Sequence, residues 1–471
     1  MIPFIAMILA ILLAGLIAVA FSSDQRGRII ALAASGAVAL IAFAIVYQSI
    51  TSASLPQAET YFDYIPAFNV NLRFGISAVS LALVVMASIV SFVTLLSGNP
   101  EKKDDKAANA LVLLFEFAAI GLFTSLNLFI FFVFWDIGMI ALFFMLYLLG
   151  SANRRRAAMK FLIYEIAASF FLLLGIMLIY FYTPINSFDI QYIAANAFLI
   201  SPVMQMVIFA CFFIAFAINM PIFPVHLWLP DAHTEASTQG SMLLSGILTK
   251  FGGYGMILAF TLFPVTGIFS NTVALLAGFS AIYLSFVLMT QRDIKRIIAY
   301  TTIVEMSIIL VAIATLSSVG IAGAAFAMLA HGLTISMLFL AAGSIGFMFA
   351  ERDIQMLRGV VENSASTAYT FMIGVFATTG VPLTAAFIGD VLIFFAAIKA
   401  FTIIGAIPIL GLLMIGFYLY YVVNKSILST KAVSSPLDYI TTDQRVGYAL
   451  LLFFIFLFGI FPFILLNFFN L

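Results

Sequence analysis

One cysteine, three histidines, two tryptophans and a charged fraction of 8% are what this chain of 471 residues is short of. With Cys211 alone there can be no intrachain disulfide, no Cys-x-x-Cys pair and no cysteine-held iron–sulfur cluster within the chain. His226, His233 and His331 stand in no metal-ligand spacing, and no Gly-rich nucleotide loop is present. No cofactor site is therefore expected in this chain, and His226 and His233 read as loop or interface residues. Twenty basic and twenty acidic residues give a formal net charge of zero, so no electrostatic footprint for nucleic acid exists. What fills the chain instead is apolar: 64% of it is hydrophobic, more than a water-soluble core can hide, and the solvent must be lipid.

A hydrocarbon layer roughly 30 Å thick takes about 20 apolar residues per helix. Runs of that size cover 2–21, 28–49, 74–96, 108–124, 126–149, 158–182, 201–224, 238–264, 270–290, 294–316, 319–347, 368–398, 402–424 and 446–467. The expected fold is an all-α integral membrane protein of about fourteen transmembrane helices. The first run lacks a basic n-region and reads as a span rather than a cleaved signal. Alternation over ten residues, the mark of a membrane barrel, is absent.

The basic residues test this count. Loops that follow odd-numbered spans carry sixteen of the twenty: Arg26, Arg28, Lys102, Lys103, Lys106, Arg154, Arg155, Arg156, Arg292, Lys295, Arg296, Arg352, Arg358, Lys425, Lys431 and Arg445. Arg73, Lys160, Lys250 and Lys399 fall inside spans or at their edges. The positive-inside rule then makes the chain a multi-pass protein of the cell membrane, with its basic loops cytoplasmic and both termini outside. The connections Ile50–Arg73 and Ala350–Thr367 have room for no more than a hairpin or a surface helix.

Charge at mid-membrane is expensive, and each such residue is a functional candidate. Asp136, Lys250, Glu305, His331 and Asp390 fall within spans, as do Glu116 and Glu165, with Lys160 near a span edge. The competing reading for Asp136 and Lys250 is a structural ion pair, for His331 a satisfied core imidazole, and for Glu116 and Glu165 a structural role. Glu305 stands twelve residues beyond Asp293, about 18 Å into its helix at 1.5 Å per residue, which is bilayer depth. Helix interruptions are expected at Pro221 and Pro224 in the seventh span, behind Lys250 at Gly252 and Gly253, and at Pro382 in the twelfth span. Broken helices at membrane depth are tolerated where they line a cavity and serve ions. The seventh and twelfth spans are five apart, so two five-helix copies would have to be inverted. The expected division is 1–107 (three helices), 108–264 and 265–424 (the two repeats), and 425–471 (a loop and a last helix). Asp136 would then match Glu305, and Asn219 would match Asp390.

The segment Pro221-Ile-Phe-Pro-Val-His-Leu-Trp-Leu-Pro-Asp-Ala-His-Thr-Glu-Ala236, with Gly240 and Thr249-Lys-Phe-Gly-Gly-Tyr-Gly255, resembles the signature of the antiporter-like subunits of respiratory complex I. Phe134-Trp-Asp136, Arg292-Asp-Ile-Lys-Arg-Ile-Ile-Ala-Tyr-Thr301, His331-Gly-Leu333 and Phe387-Ile-Gly-Asp390 extend the likeness over roughly residues 75–425. The His-Thr-Glu-Ala continuation is most like the M branch, also called chain 4. Subunits of multisubunit cation/proton antiporters and membrane-bound hydrogenases are related. The resemblance implies fourteen helices with inverted five-helix repeats. It also implies a mid-membrane proton axis through an acid on span 5, lysines on spans 7 and 8, a histidine on span 11 and a charge on span 12. This chain departs from that pattern: Asp136 replaces a glutamate, Asn219 replaces the span-7 lysine, Glu305 stands where the M branch often has histidine, and Asp390 replaces a glutamate.

The expected function is proton translocation by a membrane subunit of a complex I-like NADH-quinone oxidoreductase or a related complex, with no redox centre in this chain. The expected partners are other membrane subunits, lipid, and protons or sodium ions. The alternatives are a subunit of a multisubunit Na+/H+ antiporter or a membrane-bound hydrogenase, and a purely structural membrane anchor.

Overall fold

Polar residues are scarce in this chain, and many of them start helices. A helix flanked by hydrocarbon satisfies all its amides except those of its first turn, which need a side-chain acceptor. Asp105 accepts from the amides of Ala107 and Ala108, Asn127 from Phe129 and Ile130, and Asp293 from Arg296. Ser77 with Ser80, and Thr441 with Gln444, form reciprocal caps.

The computed structural model describes residues 4–52, 54–55, 59–98, 105–184, 186–263, 267–429 and 440–469. Its helices are α1 (Phe4–Ala20), α2 (Asp24–Ser52), α3 (Ala78–Ser97), α4 (Lys106–Thr124), α5 (Leu128–Leu149), α6 (Arg154–Tyr182), α7 (Ile190–Asn196), α8 (Pro202–Asn219), α9 (Trp228–Glu235) and α10 (Thr238–Leu243). There follow α11 (Thr249–Leu262), α12 (Ile268–Met289), α13 (Ile294–Ala314), α14 (Ser318–Phe349), α15 (Val360–Asn363), α16 (Ala365–Thr378), α17 (Ala385–Phe401), α18 (Ile403–Val422), α19 (Thr442–Ile460) and α20 (Phe463–Leu466). The connection after α2 holds a hairpin of β1 (Glu59–Ile65) and β2 (Val70–Phe74), paired antiparallel.

Among the described residues, twelve helical segments are long and apolar enough to cross a bilayer. The two remaining expected spans correspond to α1, of 17 residues, and to the interrupted pair α16 and α17. α13 and α14 are buried along almost their whole length, whereas α2, α6, α18 and α19 turn most of their surface outward. That outward surface is itself apolar, with Leu40, Phe170, Phe417 and Phe453 all exposed. Such a shell suits lipid, not water.

Hydrogen bonds sort the loops to two ends. At one end Lys106 donates to the Ser22 carbonyl, Ser151 N–H to Glu235, Lys295 to Ala236, Arg352 to Thr234 and Arg358 to Lys425, while Arg28 pairs with Asp443 at 2.8 Å. At the other end Asn69 donates to Asn186, Leu126 N–H to Arg73 and Leu128 N–H to Phe188, while Arg73 pairs with Asp189. The loops following the first, third, fifth, seventh, ninth, eleventh and thirteenth expected spans are thus tied to one another at a single basic end. Lys102, Lys103 and Lys431 lie outside the described residues.

α8 stops at Asn219, ahead of Pro221 and Pro224, and the chain resumes as α9 at Trp228. Trp228 Nε1 donates to the carbonyl of Ile218 at 2.9 Å, satisfying an acceptor that the break sets free. The second interruption runs from Thr379 to Thr384 across Pro382, with Gly380 at a positive φ of 69°. The expectation of a break at Gly252 and Gly253 is corrected, because both lie inside the continuous helix α11. Their role is close packing: a Cβ on Gly252 would stand 2.5 Å from the amide nitrogen of Met220 and 2.7 Å from the carbonyl oxygen of Phe216. The irregular turn lies instead just before Lys250, where Leu244–Leu248 is π-helical.

Gly252→Ala is therefore expected to push α8 off α11 and to destabilise the folded subunit by about 1–3 kcal/mol, the cost of overpacking a tight core. Thermal unfolding in detergent checks this. An unchanged midpoint would mean that the two helices need not sit this close.

Candidate functional site

The depth of each ionisable side chain follows from its place along its helix. Lys250 is thirteen residues past Ser237 at the basic end, and Glu165 eleven residues past Arg154, so both lie about 16–20 Å inside. Both are fully buried. The structure gathers the mid-membrane residues into two groups.

The first group joins α5, α6 and α8. Ser169 Oγ donates to Asp136 Oδ1 at 2.7 Å. One turn earlier on α6, Glu165 accepts from Asn219 Nδ2, at 3.1 Å to Oε2 and 3.4 Å to Oε1. Asn219 Oδ1 in turn accepts from the backbone amide of Gly252 at 3.2 Å. The asparagine thus closes the end of α8 and holds a carboxyl group together. Glu165, set below Asp136 in the sequence reading, is a full member of this group.

The second group joins α11, α13, α14 and α17. Lys250 Nζ lies 2.5 Å from His331 Nδ1 and donates to the carbonyl of Ser245. That carbonyl is free for a side chain because the π-helical turn displaces the regular ladder. His331 Nε2 stands 3.8 Å from Glu305 Oε2. Glu305, His331 and Asp390 then line a gap of about 10 Å³, closed by Ile308, Ala327 and Ile393. Glu305 Oε1, His331 Nε2 and Asp390 Oδ2 are buried around it without hydrogen-bond partners among the described residues. Three polar atoms around a space of one water's size make a natural water seat. Gly380 clears the way for the Asp390 carboxyl, since a Cβ there would lie 2.6 Å from Oδ2.

His233, expected as a loop or interface residue, is fully buried on α9, its ring stacked on Phe339 at 4.3 Å. Its Nε2 lies 2.6 Å from Ser245 Oγ, which also accepts from Thr302 Oγ1 at 3.1 Å. A polar line therefore runs from His233 through Ser245 to Lys250, His331 and Glu305. No spacing rule could have found it, because the contact folds back across the connection between α9 and α10.

Lys160, expected near a span edge, donates to Leu227 O and pairs with Asp231 at 2.7 Å, on the rim of an open basin of about 450 Å³ at the basic end. Arg296 pairs with the same aspartate at 3.1 Å. Glu116 is buried on α4 towards Ser35 of α2, and no hydrogen bond joins it to either group. Between the two groups stand Trp135, Phe216 and Phe251, with Trp135 and Phe251 centroids 6.1 Å apart. Aromatic rings, not a chain of hydrogen bonds, fill the line from Asp136 to Lys250 among the described residues.

Residues 125–417 match the family described as NADH:quinone oxidoreductase/Mrp antiporter, transmembrane region. The chain is 33% identical over 416 residues to NADH-quinone oxidoreductase subunit M of Rickettsia felis, covering 87% of this chain and 84% of that protein. It is 34% identical over 361 residues to F(420)H(2) dehydrogenase subunit M of Methanosarcina mazei, covering 74% and 72%. Its fold matches a chain of respiratory complex I from Thermus thermophilus with a TM-score of 0.87 at 23% identity, over 97% of this chain and 96% of that one.

Proposed function

The chain belongs to the NADH:quinone oxidoreductase/Mrp antiporter family, and from that premise we propose that it is a proton-translocating subunit of a membrane-bound redox complex of the NADH-quinone oxidoreductase kind. The observation that carries this reading is Lys250, fully buried at mid-membrane between Ser245 and His331, with Glu305 on the far side of the imidazole. A lysine, an imidazole and a carboxyl in series can hand charge along the membrane plane, and ionisable groups at this depth are costly unless they serve such a path.

In this reading Asp136 takes a proton from the basic, cytoplasmic end. Lys250, with water near Asn219, moves charge through His331 and Glu305, and Asp390 releases it. The stretches 108–264 and 265–424 act as two inverted half-channels that meet where Lys250 touches His331. Residues 1–107 and 425–471 hold the subunit against neighbouring membrane subunits of the cell membrane, and both termini face outward. Electron transfer happens in other subunits, and this chain carries no cofactor of its own.

The test uses the assembled complex in sealed vesicles with its electron donor. Proton movement is expected to need electron flow, to vanish with a protonophore and to proceed without sodium. Transport that runs without any donor and only with sodium would instead assign the chain to a cation/proton antiporter.

A further inference from the structure

Asp136 and Glu165 approach each other without a cation. Glu165 and Ser169 lie one turn apart on the same face of α6, and Ser169 grips Asp136 at 2.7 Å. That places the two carboxyl groups within reach of each other's charge. Glu165 is fully buried, and its hydrogen bonds come from the neutral Asn219. Helices α4, α8, α9 and α10 and strand β2 pack against α5 and α6. Of the charged groups they bring, Asp231 is held by Lys160 and Arg296, Glu235 by Ser151 and the amide of Asn153, and Arg73 by Asp189. Lys106 donates to Ser22, His233 is bonded to Ser245, and Glu116 faces α2. Among the described residues, no lysine or arginine pairs with either carboxyl.

We infer that Asp136 and Glu165 act as one unit, a carboxyl pair that binds a single proton between them and forms the loading station of this subunit, with Asn219 and Ser169 as the hydrogen-bond donors that position the two acids. Two carboxylates within reach of each other's charge oppose each other's ionisation, so the proton they hold titrates as a property of both. Asn219 suits this role. An amide donates to a carboxyl without fixing its charge, whereas a lysine would hold one acid permanently ionised. The inference rests on the proton-axis reading above and gives Glu165 a role within it.

The experiment counts protons translocated per electron pair across a pH series, in the assembled complex in vesicles, for Glu165→Gln, Glu165→Asp, Asn219→Lys and Lys250→Ala. In Glu165→Gln no second anion opposes loss of the proton from Asp136, so the alkaline limb of the profile is expected to move to lower pH by roughly one to three units, the size of a neighbouring-charge effect. Asn219→Lys should move it the same way, and Glu165→Asp should leave it in place. Glutamine keeps the bond to Asn219; should that variant still fail to assemble, Asn219→Lys carries the same reading. A Glu165→Gln profile unchanged in height and position overturns the carboxyl pair. So does a profile lowered in height alone, since that is what a packing role would give. Normal pumping in Lys250→Ala would instead overturn the axis reading, and the pair with it, so the two failures are told apart.

Discussion

Replacing Lys250 by alanine is expected to abolish proton pumping by the assembled complex while part of its electron transfer remains. The lysine is the one cation in the second polar group, touching His331 on one side and the Ser245 carbonyl on the other. Moving a proton against about 150 mV costs roughly 3.5 kcal/mol. Two opposite charges about 5 Å apart attract by roughly 3 kcal/mol at an effective dielectric near 20. Making and breaking one such contact is thus a lever of the required size, and Lys250 is the amine of the group that can take up the positive charge. Truncation also leaves a cavity, so Lys250→Met is the companion variant: it keeps the volume and removes the charge. Both should lose pumping, measured as vesicle acidification during electron flow, and Lys250→Met should assemble to the wild-type level. Pumping retained in both would refute a relay through this residue.

Asp136→Asn is expected to be nearly as severe. Asparagine has the same shape and still accepts the hydrogen bond from Ser169, so assembly should be unaffected. What it cannot do is take and release a proton. Pumping should fall to background with electron transfer partly preserved, and Asp136→Glu should restore it, since the longer acid still reaches Ser169. If Asp136→Asn pumps normally, Asp136 is a structural acid, and loading belongs elsewhere. When Asp136→Asn and Lys250→Ala are combined and pumping is still intact, the chain is a membrane anchor.

Much of the site could be read along the chain because depth in a helix is arithmetic. Counting residues from the basic loop places Glu305 at bilayer depth, and Lys250 falls within an expected span; the structure buries Lys250 fully and Glu305 largely. The prolines told where α8 ends, since a missing amide and a ring clash act within one turn. The glycines after Lys250 misled, because a glycine in a helix signals either a weak point or a close neighbour, and only the position of Met220 decides which.

Composition, run length and the placement of basic residues were enough to establish a lipid-embedded helical bundle with one basic end, because those properties depend on each segment's exchange with its solvent and on no other segment. Which buried groups meet was beyond them. That Glu165 rather than Lys250 faces Asn219, that His233 reaches Ser245 across the connection between α9 and α10, and that aromatic rings divide the two polar groups are consequences of helices packing side by side. A side chain's depth is fixed by its own helix, but its partner is fixed by the rotation of the helix beside it.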